Sequence, residues 1–526
     1  MFITRLIRIF KVQRQKKQVP PPPDSLGCAV LSTSLEENLN TVKKMFRSST
    51  DLVVREFSFN EGKRTEMKAA LIFIDGLINL ALLQDNVLKP LMHGASAFYD
   101  AGTAADIQSI QDIQDKVLTA GDVKELYTYD ELAQFCLSGN AVLLADGYYK
   151  ALTIEAKGWE KRAVTEPISE TSVRGPREGF TENLRTNTSM IRRKIKDPAL
   201  TIESKVVGRR TQTQVNLLYI DGLADPELIR EVKSRLSQID IDGVLASSYL
   251  EAYIEDSPYT VFPTIWYSEK PDAVAGKLLE GRIAVAVDGA PFVMTMPMLF
   301  IENFQSAEDY AKRAPYATAT RVVRFIAFLL SLFMPALYIA LSNFQQELIP
   351  TTLLFTMAAS AEGVPFPVVL ESAIMMVIFE MLQEAGMRMP RPVGQTVSIV
   401  GALVMGEAAV QAGLVGAPVV IAVAITAVSS FALPFAVDAL SLLRWFLLLL
   451  SATMGFFGIT IGGFIILVHL ASLKSFGAPY MAPIAPLHKA GLKDTIIRAP
   501  FWAMKKRPDV LKPQDIERED SPSPLK

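Results

Sequence analysis

Cysteine and histidine are scarce in this 526-residue chain, and so are the motifs of catalysis. Cys28 and Cys136 are far apart and have neither the spacing of a zinc site nor the count of a disulfide framework, so they read as reduced structural or surface thiols. His93, His469 and His488 are scattered. No glycine-rich phosphate loop, metal-ligand spacing or nucleophile elbow is present. The chain is therefore expected to hold no catalytic residue, no metal and no cofactor, and not to be an enzyme. A net charge of −2 and the lack of a nucleic-acid motif give no reason to expect a nucleic-acid partner. The scarcity that matters most is local. Between Phe325 and Leu470 the charges are Glu347, Glu362, Glu371, Glu380, Glu384, Glu407, Asp438, Arg388, Arg391 and Arg444. The whole chain is 21% charged. A membrane module thus follows an ordinary charged module, in a chain too long for one domain.

The chain opens with MFITRLIRIFKVQRQKKQ, which has bases and no acid. It lacks the apolar core of a signal peptide. Such an arm either touches anionic lipid or is a solvated tail. Pro20 to Pro23 form a stiff spacer after it.

From about Leu31 the pattern is globular and repeats. Ala70–Leu77 reads ALIFIDGL and Asn216–Leu223 reads NLLYIDGL. Leu137–Gly147 reads LSGNAVLLADG and Leu279–Gly289 reads LEGRIAVAVDG. Short apolar runs bounded by glycine, alternating with helical segments, predict two related α/β subdomains. The Asp-Gly pairs at Asp75, Asp146, Asp221 and Asp288 read as turns that leave strands, since both residue types tolerate left-handed backbone. Between the repeats, Val173 to Leu200 contains a helix that Thr181 is placed to cap, made basic by Arg185, Arg192, Arg193 and Lys194. Its charged face is either solvated or meets an acidic partner.

The expected fold is an α+β multi-domain membrane protein, with two related cytosolic α/β subdomains followed by an α-helical transmembrane domain. The expected divisions are a basic, Pro-rich arm (1–30), subdomain 1 (31–160), a basic helical linker (161–200), subdomain 2 (201–315), a transmembrane domain of four to six segments (316–475) and a basic, then disordered tail (476–526).

Arg391 to Val415, RPVGQTVSIVGALVMGEAAVQAGLV, organises the membrane part. On a helix Ala402, Gly406, Ala409 and Gly413 form a small stripe suited to helix packing. Val397, Val400, Val404, Glu407 and Gln411 form another stripe. An acid within such a helix faces a bundle interior or a water-filled path, so this second stripe is the candidate pore lining. The alternative is that Glu407 snorkels to the interface.

Val322–Ser342 reads as a spanning helix with Pro335 inside it, and Arg321 and Arg324 at its start place the soluble part in the cytosol. The segment 353–367 reads as broken. Val368–Glu384 carries three acids, and Trp445–Leu470 contains Gly455, Gly458, Gly462 and Gly463. Five crossings would leave the C-terminus outside, yet the tail after Leu470 is basic and should be cytosolic. Either Val368–Glu384 does not cross or the glycine-rich run folds back. The three acids favour the first.

The segment 173–200 and Ser247–Gly289, with FQQELIPTTLL, EGVPFP, RPVGQTVSIVGALVMGEAAVQAGLV and HLASLKSFGAPYMAPIAP, resemble the A subunits of GerA-type spore germinant receptors. The likeness spans about residues 60–490 in order. It implies a multi-pass protein of the spore inner membrane. It also implies an oligomeric, ligand-gated channel for monovalent cations, working with a transporter-like B subunit and a lipoprotein C subunit. Two other readings stay open: a secondary transporter, which also uses broken helices and intramembrane acids, and a scaffold or signal-amplifying A-type paralogue that does not conduct.

Overall fold

The structure is a computed structural model that describes residues 29–59, 67–93, 110–114, 118, 123–158, 170, 174–388, 404–488 and 491–518. The basic arm and Cys28 lie outside these residues, as does the side chain of His93. The chain divides into two compact units. One holds the chain to Met45 and Leu52–Gly158; the other holds Phe46–Asp51 and everything from Trp159 on.

The first unit carries a sheet of β1 (Leu52–Phe59), β2 (Met67–Ile74), β3 (Val123–Leu126), β4 (Asn140–Ala145) and β5 (Ala151–Glu155), in the order β1-β2-β4-β5-β3. The second carries β6 (Leu200–Val207), β7 (Thr213–Ile220), β8 (Trp266–Ser268), β9 (Ile283–Val287) and β10 (Val293–Met296), in the order β6-β7-β9-β10-β8. The two orders are the same, and every pairing is antiparallel. The registers correspond too: Leu52 faces Ile74, and Leu200 faces Ile220.

The Asp-Gly pairs explain themselves once the sheets are seen. Gly147 and Gly289 have φ of 86° and 80°, and a Cβ at either would meet nothing within 4 Å. Glycine is used there for its backbone freedom alone. The aspartates do more than turn the chain. Asp146 Oδ1 accepts from Leu35 N at 3.0 Å, and Gly147 N donates to Thr33 O at 2.8 Å. Asp288 Oδ1 accepts from Leu184 N at 3.3 Å, and Gly289 N donates to Glu182 O at 2.8 Å. In each unit the pair clamps the start of a helix, Leu35–Met45 or Leu184–Lys194. Asn38 and Asn187 repeat the match: each amide bonds both the N–H and the C=O of the residue six before it, Ser32 or Thr181.

The helix expected as a basic linker is therefore the second unit's counterpart of Leu35–Met45. Its cap is Asn183, which accepts from Thr186 N at 3.1 Å, in place of the expected Thr181. Arg192 is fully buried and grips Asp51 through Nε–Oδ2 at 2.7 Å and Nη2–Oδ1 at 2.9 Å. Arg193 and Lys194 pair with Glu178. Cys136 is buried in the first unit, and burial pushes its thiol up to about 12, so it is inert.

In the second unit, alternate residues of the strands feed two cores. Val215, Leu217, Tyr219, Val285 and Val287 pack against Pro226–Gln238 and Ser247–Ile254. Leu218, Ile220, Ala284 and Ala286 share a core with Ile191, Leu278, Phe304, Phe328, Leu440 and Leu470. The sheet's second face is thus continuous with a helical module.

That module contains helices Ala314–Asn343, Thr351–Ala361, Val368–Arg388, a helix over 404–411, Ala417–Ser430 and the run Val437–Ser472. Ala314–Asn343 and Pro434–Ser472 are long and apolar enough to cross a membrane, with mean hydropathy 2.2 and 2.0. The second is two helices. Gly455 has φ 59° and ψ −136°, and there the run folds back on itself. A Cβ on Gly458 would stand 2.2 Å from Leu450 O, and one on Gly462 would stand 2.5 Å from Leu447 Cδ2. Residues eight and fifteen apart lie about 12 and 22 Å apart along a straight helix, so the arms are antiparallel. Glycines four apart permit this close approach. The hairpin tip meets the end of Ala314–Asn343, where Gln345 Oε1 accepts from Phe456 N at 3.3 Å.

Candidate functional site

The 404–411 helix is held on one face and bare on the other. Gly406 is buried, and a Cβ there would stand 3.2 Å from Val420 Cγ1 in the next helix. Ala409 and Val410 pack with Val415, Val419 and Val423. On the opposite face Val404 is 56% exposed, and Glu407 and Gln411 are exposed, with Gln411 Nε2 donating to Glu407 Oε1 at 3.1 Å. Gly413 lies past the helix in a turn with φ 64°. Val397, Val400 and Ala402 lie outside the described residues.

The acids of Val368–Glu384 favour a segment that does not cross. The structure gives two of those acids internal partners. Glu371 is 2% exposed and its Oε2 accepts from Gly416 N at 2.7 Å, at the start of helix Ala417–Ser430. Glu380 Oε1 accepts from Ser441 Oγ at 2.6 Å and from Trp445 Nε1 at 3.0 Å. Glu384 pairs with Arg388. The fold-back that sequence reasoning set aside is the arrangement the structure has. Arg444, also missed as a feature, is 1% exposed; its Nε donates to Leu440 O and its guanidinium lies 5.8 Å from the Phe379 ring centre.

Arg321 and Arg324, read from sequence as flanks that set orientation, are joined to the protein itself. Arg321 is fully buried, with Nε 3.1 Å from Asp309 Oδ2 and Nη1 2.8 Å from Asp494 Oδ1. Arg324 Nη1 pairs with the same Asp309 at 2.7 Å. Tyr310 OH donates to Asp494 Oδ2 at 2.7 Å. This cluster ties the base of the 314–343 helix to the C-terminal segment.

That segment is packed where the composition beyond Leu511 predicts disorder. Ser475 Oγ donates to Thr264 O at 2.7 Å and Phe300 N donates to Tyr480 O at 2.8 Å. Leu511 is buried, and Gln514 N donates to Leu223 O at 2.9 Å, so the segment is packed as far as Gln514; the rest of the expected disordered tail, 519–526, lies outside the described residues. Both ends of the hairpin also lie against the second sheet's body: Phe435 packs on Trp266 and Tyr267, and His469 Nε2 is 3.0 Å from Thr260 Oγ1. Among the described residues no cluster of histidine, cysteine and acids is arranged to hold a metal.

Comparison with known proteins completes the picture. Spore germination protein KA of Bacillus subtilis (strain 168) is 46% identical over 93% of this chain and 89% of its own length. Spore germination protein B1 of the same strain is 37% identical over 93% of this chain and 99% of its own. A crystal structure of the N-terminal domain of the A subunit of the Bacillus megaterium spore germinant receptor GerK3 is 35% identical. It matches 52% of this chain and 98% of that domain, with a TM-score of 0.41. The profile of the Bacillus/Clostridium GerA spore germination proteins matches residues 40–510, and the chain belongs to that family.

Proposed function

We propose that this chain is the A-type subunit of a nutrient germinant receptor in the inner membrane of a bacterial spore. Copies of it ring a pore for monovalent cations, lined by the 404–411 helix and opened through B-type and C-type partner subunits. The observation that carries this reading is the bare stripe of Val404, Glu407 and Gln411 on a helix whose other face is packed. In a ring of identical chains that stripe recurs around the axis. Valines make a constriction that closes by dewetting, and glutamates attract cations.

The helical module supports six crossings. Helix 314–343 leads away from the sheet body to the hairpin tip at Gly455. Val368–Arg388 starts beside Gly416 and comes back toward Ser441 and Trp445. Helix 417–430 starts beside Glu371 and returns, which calls for one outward crossing between Arg388 and Gly416, and the two hairpin arms go out and back. An even number leaves the C-terminal segment on the side of the α/β body, where it packs. Exposed Lys474 and Lys506 on that side make it cytosolic, together with both termini.

Receptor subunits co-reconstituted in liposomes test the function. Nutrient should release trapped potassium at channel rates. Efflux at carrier rates would favour a transporter, and no efflux would favour a scaffold.

A further inference from the structure

Loop 255–262 carries at its turn a tyrosine that the fold leaves wholly bare. Thr260 N donates to Ser257 O at 3.1 Å, closing a turn with Pro258 and Tyr259 at its corners. Proline suits the first corner because its φ is already set. The base of the turn is fixed on both sides. Asp256 Oδ1 pairs with Arg235 and its Oδ2 accepts from Phe476 N. Thr260 Oγ1 accepts from Phe262 N at 3.2 Å and meets His469 Nε2 at 3.0 Å. Phe262 is 2% exposed and packs on Phe300 and the His469 ring. Against this fixed base, Tyr259 is 99% exposed.

The place of the loop indicates what covers the ring. His469 is in the last turn of the apolar hairpin. Beside it Leu467 and Val468 are 57% and 52% exposed, and one turn earlier Phe464 is 67% exposed. The bare apolar surface of the arm therefore ends where the loop begins. Tyrosine, with an apolar ring and a polar tip, is the side chain suited to the boundary between hydrocarbon and water.

We propose that loop 255–262 is a membrane-interface anchor, with Tyr259 seated among lipid headgroups on the side of the α/β body. The inference rests on the reading that the hairpin spans a bilayer. It gives the α/β body a contact with lipid that is separate from its covalent link to the helices, so the body is held at a fixed height over the membrane.

Full-length Tyr259→Trp and Phe464→Trp proteins, in vesicles of phosphatidylcholine and phosphatidylglycerol, test it by tryptophan quenching with the wild-type signal subtracted. Lipids carry bromine either near the headgroup end or at the chain end. Tyr259→Trp should lose more fluorescence to the shallow bromine than to the deep one. Loss at Phe464→Trp with none at Tyr259→Trp overturns the anchor and keeps the spanning hairpin. Stronger loss to the deep bromine at Tyr259→Trp overturns the interfacial position. No loss at either site overturns both the anchor and the spanning reading.

Discussion

Gly458 packs against the backbone of Leu450, so closely that a Cβ would stand 2.2 Å from the Leu450 carbonyl oxygen. The backbone there cannot give way as a flexible side chain would. Gly458→Ala should cost about 1–3 kcal/mol, as overpacking does, and lower the thermal midpoint and the yield of folded protein. Gly463→Ala is the control, because its Cβ would find Phe333 at an ordinary 3.6 Å. Equal midpoints for the two variants would remove the hairpin contact.

The Asp-Gly clamp gives a second test. Asp288→Ala leaves Leu184 N without its acceptor at the start of the 184–194 helix. The loss should be about 1 kcal/mol, the usual cost of removing such a cap. Asp288→Asn keeps an acceptor oxygen and should recover most of it. Thermal unfolding of the three proteins reads the difference.

Arg192 and Asp51 make a third. Removing the carboxylate strands a fully buried guanidinium, which typically costs about 3–5 kcal/mol. Asp51→Ala should therefore be strongly destabilised. Arg209→Ala breaks only an exposed pair with Asp240, worth about 0–1 kcal/mol, and should be near wild type. Comparable losses in the two variants would contradict the buried clamp.

Glu251 makes stability depend on pH. Burial, with repulsion from the Glu255 carboxylate, pushes its carboxyl up to about 7. The unfolded chain loses this proton near pH 4.3. Between those values the folded state binds more protons than the unfolded, so stability should fall as pH rises from about 4.3 to about 7 and then level off. Glu251→Gln should flatten this part of the profile. A profile unchanged by the substitution would contradict the assignment.

Turn chemistry was readable in the sequence because Asp-Gly carries its meaning locally: φ near 80° at Gly147 and Gly289 needs no distant partner. The repeat of sheets followed from it. Charges are less legible, because their partners lie far along the chain. Arg321 reads as a membrane flank, and that it also pairs with Asp494 at 2.8 Å is visible only in the fold. The acids of 368–388 argue against a crossing, and their partners Gly416 and Trp445, which take up Glu371 and Glu380, are not readable from spacing. Gly455, Gly458 and Gly462 were visible, but a glycine in an apolar run fits a straight helix as well as a fold-back. Only the opposing Leu450 and Leu447 decide between them. For the stripe proposed to line a pore, the spacing of Val404, Glu407 and Gln411 is legible in the sequence, and their shared exposure is what the fold adds.

The central claim is that this stripe lines a cation pore. Potassium efflux through reconstituted Val404→Ala and Glu407→Lys proteins, normalised to protein amount, tests it most directly. Val404→Ala should leak without nutrient, because shortening the valine widens the constriction and lets it stay wet. Glu407→Lys should assemble normally yet conduct cations poorly. A Val404→Ala protein that is mildly destabilised but never leaks, with wild-type cation conduction in Glu407→Lys, would contradict the pore assignment.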